Sequence, residues 1–181
     1  MNPADELVDV IDDAGRTIRV ANRAEVRALR LPHRCTYVLV FNSRSELFIH
    51  LRTPTKDVYP SHWDPCIGGV LLAGESFAQG VIREIREELG IVKAPRALFP
   101  FRYDDEHTCV QGMVCRLDSD GPFLLQPEEI VRGGFVTFSE LARRAEREPF
   151  CPDGMAVVRK YAAFGLALLD PFAKALLQGR H

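Results

Sequence analysis

The sequence predicts an α/β fold, an α/β/α sandwich with a mixed β-sheet, and three observations predict it. Tyr37-Val38-Leu39-Val40-Phe41 and the run 46–52 are apolar stretches on either side of the turn Asn42-Ser43-Arg44-Ser45, which reads as two central strands. Ser76 with Gln79 three residues on is a capping-box pattern and Gly90 suits the position after a helix end, so a helix is expected from Phe77 to just before Gly90. Strand patterns at 97–103, 108–116 and 134–138 then give way to helical ones, so helices stand before, within and after the strands.

Taken in order, 7–11 and 16–20 read as a hairpin around Gly15, and Asn22 caps a short helix over 23–30 that ends before Pro32. Residues 1–31 are therefore expected to be an extension packed on the main sheet. The proline-rich stretch 53–65 is expected to be a binding loop, because it leads into the glycine pair Gly68-Gly69. After the strand pair 97–103 and 108–116, with its acidic tip at 104–107, Ser139 is expected to cap a helix reaching Arg147. Asp153 is expected to cap a last helix within 152–178.

With 181 residues, 46% of them hydrophobic and 27% charged, the chain is long enough for one domain with its own core, so 1–181 is read as a single domain. A net charge of −2 offers no basic field, which disfavours sequence-independent nucleic-acid binding. Five cysteines with no C-x-x-C pair argue against a disulfide framework and against a zinc site, and point to a reducing, cytoplasmic setting. The opening residues carry no apolar run, so no secretory leader is expected, and the most apolar run, 161–169, is too short to span a membrane.

The most informative helix is 77–89. Phe77, Ala78, Val81, Ile82, Ile85 and Leu89 recur at helical spacing and are expected to form its buried side. Gly80 stands in mid-helix at a cost of about 0.5–1 kcal/mol relative to alanine, so a close neighbour is expected there. Glu84, Glu87 and Glu88 occupy i, i+3 and i+4 near the helix C-terminus, where they repel one another and the helix dipole. Two readings follow: a solvated acidic face partly neutralised by Arg83 and Arg86, or oxygen ligands for a hard divalent cation.

The stretch 69–91 resembles the Nudix box, Gly-x5-Glu-x7-Arg-Glu-U-x-Glu-Glu-x-Gly-U with U apolar. Every specified position matches: Gly69, Glu75, Arg83, Glu84, Ile85, Glu87, Glu88, Gly90 and Ile91. At ordinary residue frequencies a chance match in a chain of this size is on the order of one in ten million. The resemblance implies a hydrolase that uses Mg²⁺ or Mn²⁺ to cleave a small-molecule diphosphate, nucleoside-linked or related. It implies Glu84, Glu87 and Glu88 as metal ligands with the Gly69 carbonyl a further one, and an Arg83–Glu75 pair steering the ligand carboxylates. Glu75 and Gly90 support the box, and Glu84 and Arg83 count as catalytic.

The general base of such enzymes varies between a box glutamate and a carboxylate from a later loop; Glu129 is the candidate here, with Glu128, Asp104 and Asp105 as competitors. Arg52 and Lys56 are candidates for binding the diphosphate, Arg34 a weaker one. His33 and His62 are weighed as ligands, and Tyr59 and Trp63 as stacking residues. The stretch 31–63 also resembles isopentenyl-diphosphate isomerase, a Nudix-fold enzyme, but that enzyme's cysteine position holds Gly68, with Cys66 displaced by two, and the intact box favours hydrolysis. Bacterial Nudix hydrolases of the YfcD type combine both features. An isomerase and a non-catalytic nucleotide-binding module are the alternatives, and a homodimer is possible.

Overall fold

In chain order, the computed structural model, described here over residues 3–169, forms β1 (Leu7–Ile11), β2 (Thr17–Asn22), α1 (Arg23–Ala28), β3 (His33–Phe41), β4 (Leu47–Arg52), β5 (Trp63–Asp64), α2 (Phe77–Leu89), β6 (Arg96–Asp104), β7 (Cys109–Asp118), β8 (Ile130–Val136), α3 (Phe138–Ala145) and α4 (Pro152–Leu169). Side chains are described as far as Phe164. Of the expected C-terminal helix 152–178, residues 170–178 lie outside the described residues.

The eight strands make one mixed, open sheet in which β3 is the hub. β7 runs parallel to β3 along its whole length, from His33↔Val110 to Phe41↔Asp118. On its other edge β3 meets β1 at His33 and β4 at Phe41, both antiparallel. The gap between them is filled by the segment that leads into α2. Val38 N–H donates to the Ile67 carbonyl (2.7 Å), Ile67 N–H returns the bond (2.9 Å), and Thr36 N–H donates to the Gly69 carbonyl (2.9 Å). Gly68 is essential to this approach: its φ is +139°, and a Cβ there would lie 2.2 Å from the Thr36 carbonyl oxygen.

From Tyr37 to Phe41 β3 is an unbroken apolar run because it is covered on both faces. Tyr37, Leu39 and Phe41 enter one core with Trp63, Leu141, Val157 and Val158, from β5, α3 and α4. Val38 and Val40 enter a second core with Val81, Ile85 and Leu89 of α2. Helices therefore lie on both sides of the sheet, as the sequence predicts. No helix among the described residues is long and apolar enough to cross a membrane.

Several boundaries differ from expectation, and pairing explains them. β3 starts at His33, four residues early, because β7 and β1 pair with that end. β8 spans Ile130–Val136 instead of 134–138, since its register against β4 runs from Val136↔Leu47 back to Ile130↔Arg52. Thr137, not Ser139, caps α3, accepting the Glu140 N–H at 3.1 Å, and α3 ends at Ala145. α4 starts at Pro152, whose missing N–H costs nothing in a first turn, so Asp153 lies inside the helix. α1 stops at Ala28, and Arg30 takes a φ of 50°.

α2 forms as predicted. Gln79 N–H donates to Ser76 Oγ (3.3 Å), Ser76 N–H donates to Gln79 Oε1 (3.0 Å), and Gly90 closes the helix in the left-handed conformation at φ 67°. A Cβ on Gly80 would lie 3.1 Å from both Glu75 Oε2 and Leu71 Cγ, the close neighbour anticipated. The buried face, however, is rotated from the expected one. Gly80, Val81, Glu84, Ile85, Glu88 and Leu89 are buried, while Ala78 and Ile82 are exposed.

Candidate active site

That rotation separates the three glutamates. Glu84 and Glu88, only 9% and 6% exposed, point inward, while Glu87 stays at the surface. Glu84 packs against Gly69 so closely that a Cβ there would lie 2.8 Å from Glu84 Oε1. Burial, opposed by Arg83, pushes the Glu84 carboxyl up to about 7. Glu88 is raised well above the ordinary range, first by burial and then by the neighbouring Glu84 charge. Glu88 Oε2 is buried with no hydrogen-bond partner among the described residues. Such an orphaned acceptor costs about 1–3 kcal/mol, more when charged, unless something fills it.

Arg83 organises one side of this pair. Its Nε and Nη2 donate to Glu75 Oε1 and Oε2 at 2.8 and 2.9 Å, its Nη1 reaches Glu84 Oε1 (2.9 Å) and Glu87 Oε2 (3.1 Å), and Nη2 also reaches the Val70 carbonyl (3.2 Å). The bidentate pair with Glu75 comes first among the causes that raise the guanidinium pKa. Among the described residues, no three His, Cys, Asp or Glu side chains converge as a ready metal cluster. One guanidinium nitrogen of Arg83 bonds both Glu84 and Glu87, holding the two carboxylates as a cation would. The donor set still fits a hard divalent ion, since two buried carboxylates lack sufficient counter-charge and one oxygen is unpartnered. The Gly69 carbonyl spends one lone pair on Thr36 N–H, which leaves its second.

Across Gly69 from Glu84 lies a cavity of about 70 Å³ walled by Gly68, Gly69 and four cations: Arg23, Arg27, Arg52 and Lys56. Arg52, at the end of β4, bonds Asp64 Oδ2 (3.3 Å) and the Val58 carbonyl (3.0 Å), and its Nε is buried without a partner. Lys56 is ion-paired with Glu129, so the candidate phosphate ligand and the candidate base hold each other. The loop over 53–62 that carries Lys56 is anchored by Thr53 N–H to the Glu129 carbonyl (3.1 Å) and has left-handed residues at Tyr59 and Ser61.

The other candidates fall elsewhere. His33 is a core residue, pushed down to about 4 by burial and by Arg27, with Nδ1 at 2.8 Å from the Leu31 carbonyl. Trp63 is buried under the Arg144 guanidinium, 4.0 Å from its ring centroid. Arg34 pairs with Asp9 at 3.1 Å, Asp104 with Arg30, and Asp105 accepts from Tyr59 and Tyr103. His62 turns back onto the Pro60 carbonyl at 2.9 Å, while Tyr59 lines the cavity.

Sequence reasoning missed two groups. Arg23 and Arg27 lie one turn apart on α1, a like-charge i,i+4 pair that is unfavourable in an isolated helix; the rule applied to the glutamates would have singled them out. Asp64 and Asp153 also line the cavity, where Tyr37 OH donates to Asp153 Oδ2 (3.1 Å). Burial and the Asp64 charge push Asp153 up to about 6. Nothing local marks these two, which come together only where β5 meets the start of α4.

The geometry agrees with comparisons to known proteins. The NUDIX domain family matches residues 31–154. Uncharacterized Nudix hydrolase SCO1686 of Streptomyces coelicolor is 36% identical over 167 residues, covering 91% of this chain and 92% of that protein. Uncharacterized Nudix hydrolase YfcD of Escherichia coli K12 is 34% identical over 151 residues, covering 83% of each. The crystal structure of DR0079 from Deinococcus radiodurans superposes with a TM-score of 0.74 at 27% identity, covering 86% of this chain and 98% of that one. With the box built on α2, the sheet behind it and these relatives along most of its length, the chain belongs to the Nudix hydrolase family.

Proposed function

We propose that the protein is a divalent-metal-dependent hydrolase that cleaves the P–O–P bond of a small organic diphosphate, nucleoside-linked or related, by water attack on phosphorus. The supporting observation is the buried pair Glu84 and Glu88, with Glu88 Oε2 unpartnered, set beside a cation-walled cavity. Glu84 and Glu88 would hold the ion, with Glu87 and the Gly69 carbonyl completing the set. Mg²⁺ or Mn²⁺ held there supplies positive charge that screens the phosphate oxygens and makes water a better nucleophile.

The chain's own residues do the rest. Arg83, clamped by Glu75, fixes the Glu84 carboxylate in place. Arg52 and Lys56, which line the cavity, bind non-bridging phosphate oxygens. When phosphate engages Lys56, its bond to Glu129 is released, and Glu129 becomes free to take the proton of the attacking water. Cys66 is buried, and burial holds its thiol well above the usual range, so it is not poised for the protonation chemistry of an isomerase. None of the relatives described above is named as an isomerase, so that likeness of residues 31–63 is not carried into the proposal.

The test is hydrolysis of nucleoside diphosphates, sugar nucleotides, dinucleoside polyphosphates and dimethylallyl diphosphate, with Mg²⁺ and with EDTA, read by chromatography of the phosphorylated products and, for substrates with a free end, by orthophosphate release. Turnover that depends on the metal and is lost in Glu88→Gln supports the reading. Binding without turnover in every case would instead mark a recognition module, and deuterium uptake into isopentenyl diphosphate without phosphate loss an isomerase.

A further inference from the structure

A group attached to a phosphate held at Lys56 has to extend into a space that Lys56 also borders. Lys56 borders two. The first is the cavity of about 70 Å³, about two waters' worth of liquid at ~30 Å³ each, which leaves no room for a ring. The second is an open groove of about 560 Å³, a size within the ~300–1,000 Å³ of sites that hold small organic ligands. The N-terminal extension lines this groove with the small residues Pro3, Ala4 and Ala24 and with Arg23 and Arg27. The loop 53–62 and the residues just before β8 line the rest, so that the candidate base Glu129 borders it too. The groove is therefore continuous with the site and is the space large enough for the organic part of a substrate.

Ion pairing decides what chemistry the groove offers. Lys56 is paired with Glu129, and Asp57 Oδ2 lies 3.3 Å from Arg23 Nε and 3.2 Å from Arg27 Nε. Glu128 is the charged residue of this lining that has no ion pair among the described residues. Its carbonyl accepts from Thr53 Oγ1 (3.0 Å), which fixes the backbone and leaves the exposed carboxylate free. A free carboxylate accepts hydrogen bonds and repels anions, so it suits an uncharged group with hydroxyl or amino donors. The small side chains of the extension leave space for the faces of a ring. An apolar chain laid in the same place would cover Glu128 without hydrogen-bonding it, at a desolvation cost.

We infer that this groove holds the organic group attached to the diphosphate, and that the group is a polar, uncharged ring such as a nucleoside or a sugar, with Glu128 accepting from its donors. The N-terminal extension is then a specificity element. This rests on the hydrolase reading above and deepens it, because it places nucleotides and sugar nucleotides ahead of dimethylallyl diphosphate as substrates. Glu128 serves binding in this arrangement, and the proton of the attacking water stays with Glu129.

The test is calorimetric binding, in Mg²⁺, of the adenosine, uridine and methyl monoesters of methylenediphosphonate, whose P–C–P bridge water does not cleave. The three carry the same charge, so a difference in affinity reports the attached group. The wild type should bind at least one nucleoside ester about tenfold or more tightly than the methyl ester. Ala24→Trp, at an exposed position of α1, fills the groove and should erase that preference with the methyl ester's affinity unchanged. Glu128→Ala should weaken the nucleoside ester about tenfold and the methyl ester not at all, and it keeps the test open if Ala24→Trp does not fold. Equal affinity of nucleoside and methyl esters in the wild type, or a preference that survives in folded Ala24→Trp, overturns the proposal. A preference untouched by Glu128→Ala overturns the chemistry assigned to the groove. A ring preference that the variants remove, in a protein that hydrolyses none of the panel, keeps the groove and removes the hydrolase. Metal-dependent hydrolysis without a ring preference does the reverse.

Discussion

The two walls of the site are built in opposite ways. The acidic wall comes from one helix: Glu84 and Glu88 project from α2 into a buried region where Arg83 offsets the Glu84 charge only in part and Glu88 Oε2 has no hydrogen-bond partner among the described residues. The basic wall is gathered from α1, the end of β4 and the loop 53–62, and each cation already has a partner in Asp57, Glu6, Asp64 or Glu129. One wall stores repulsion that an arriving cation relieves. The other is neutral and must exchange internal partners for ligand. The acidic wall should therefore dominate rate and respond to pH, whereas the basic wall should govern affinity and selectivity.

The sharpest way to break this contrast is at the orphaned carboxylate. Glu88→Gln should lower metal-dependent hydrolysis by about a thousandfold, the scale of losing several kcal/mol of charge stabilisation, with the circular dichroism spectrum unchanged. A loss of less than about tenfold would mean that the unpartnered oxygen is not where the ion is held. Next comes Gly69→Ala, whose Cβ would displace the Glu84 carboxylate but meets only the end of a flexible side chain. Turnover should fall about a hundredfold with little change in melting temperature, because the fault lies in a ligand's position and not in the fold.

The pH response sharpens the comparison further. Glu84 titrates near 7 when folded and near 4.5 when unfolded, so its charge destabilises the metal-free fold increasingly as pH rises from about 4.5 to about 7. His33 and His50, both pushed down to about 4 by burial, act in the opposite sense below about 6.5, so the wild-type profile mixes both effects. The difference cancels the histidines and reports Glu84 together with the part of the Glu88 shift that the Glu84 charge causes. In EDTA, Glu84→Gln should melt above the wild type at pH 8, and the gap should close toward pH 5 and shrink when Mg²⁺ is added. A gap independent of pH would remove the argument for stored repulsion. The smallest effect is the control: Ser76→Ala removes the cap of α2 and should cost about 1 kcal/mol of stability, leaving both walls in place.

Legibility followed locality. The α2 cap, its αL terminus and the spacing of the three glutamates are contacts within a few residues, so they could be read directly from Ser76, Gln79 and Gly90. The close neighbour of Gly80 could be inferred from its cost, though not its identity as Glu75 and Leu71. The direction α2 faces could not be read in the same way. Ile82 and Ala78 look like core positions by period, yet the sheet accepts the face with Glu84 and Glu88, because β3 and the 67–70 segment present Val38, Ile67 and Gly69 there. The like-charge spacing of Arg23 and Arg27 was local and readable, but their place at the cavity was not, because it depends on how α1 packs beside the loop 53–62.

By itself the sequence determined the class of fold, the existence and limits of the central helix, and a carboxylate pattern suited to a divalent ion. These depend on periodicity, capping and spacing along one stretch of chain. Only the tertiary structure decided which glutamates are buried, that Lys56 and Glu129 hold each other, and that an N-terminal helix walls the cavity. Burial and long-range charge pairing depend on which distant segments β3 brings together, and the energies that fix them, desolvation above all, have no value until that packing exists.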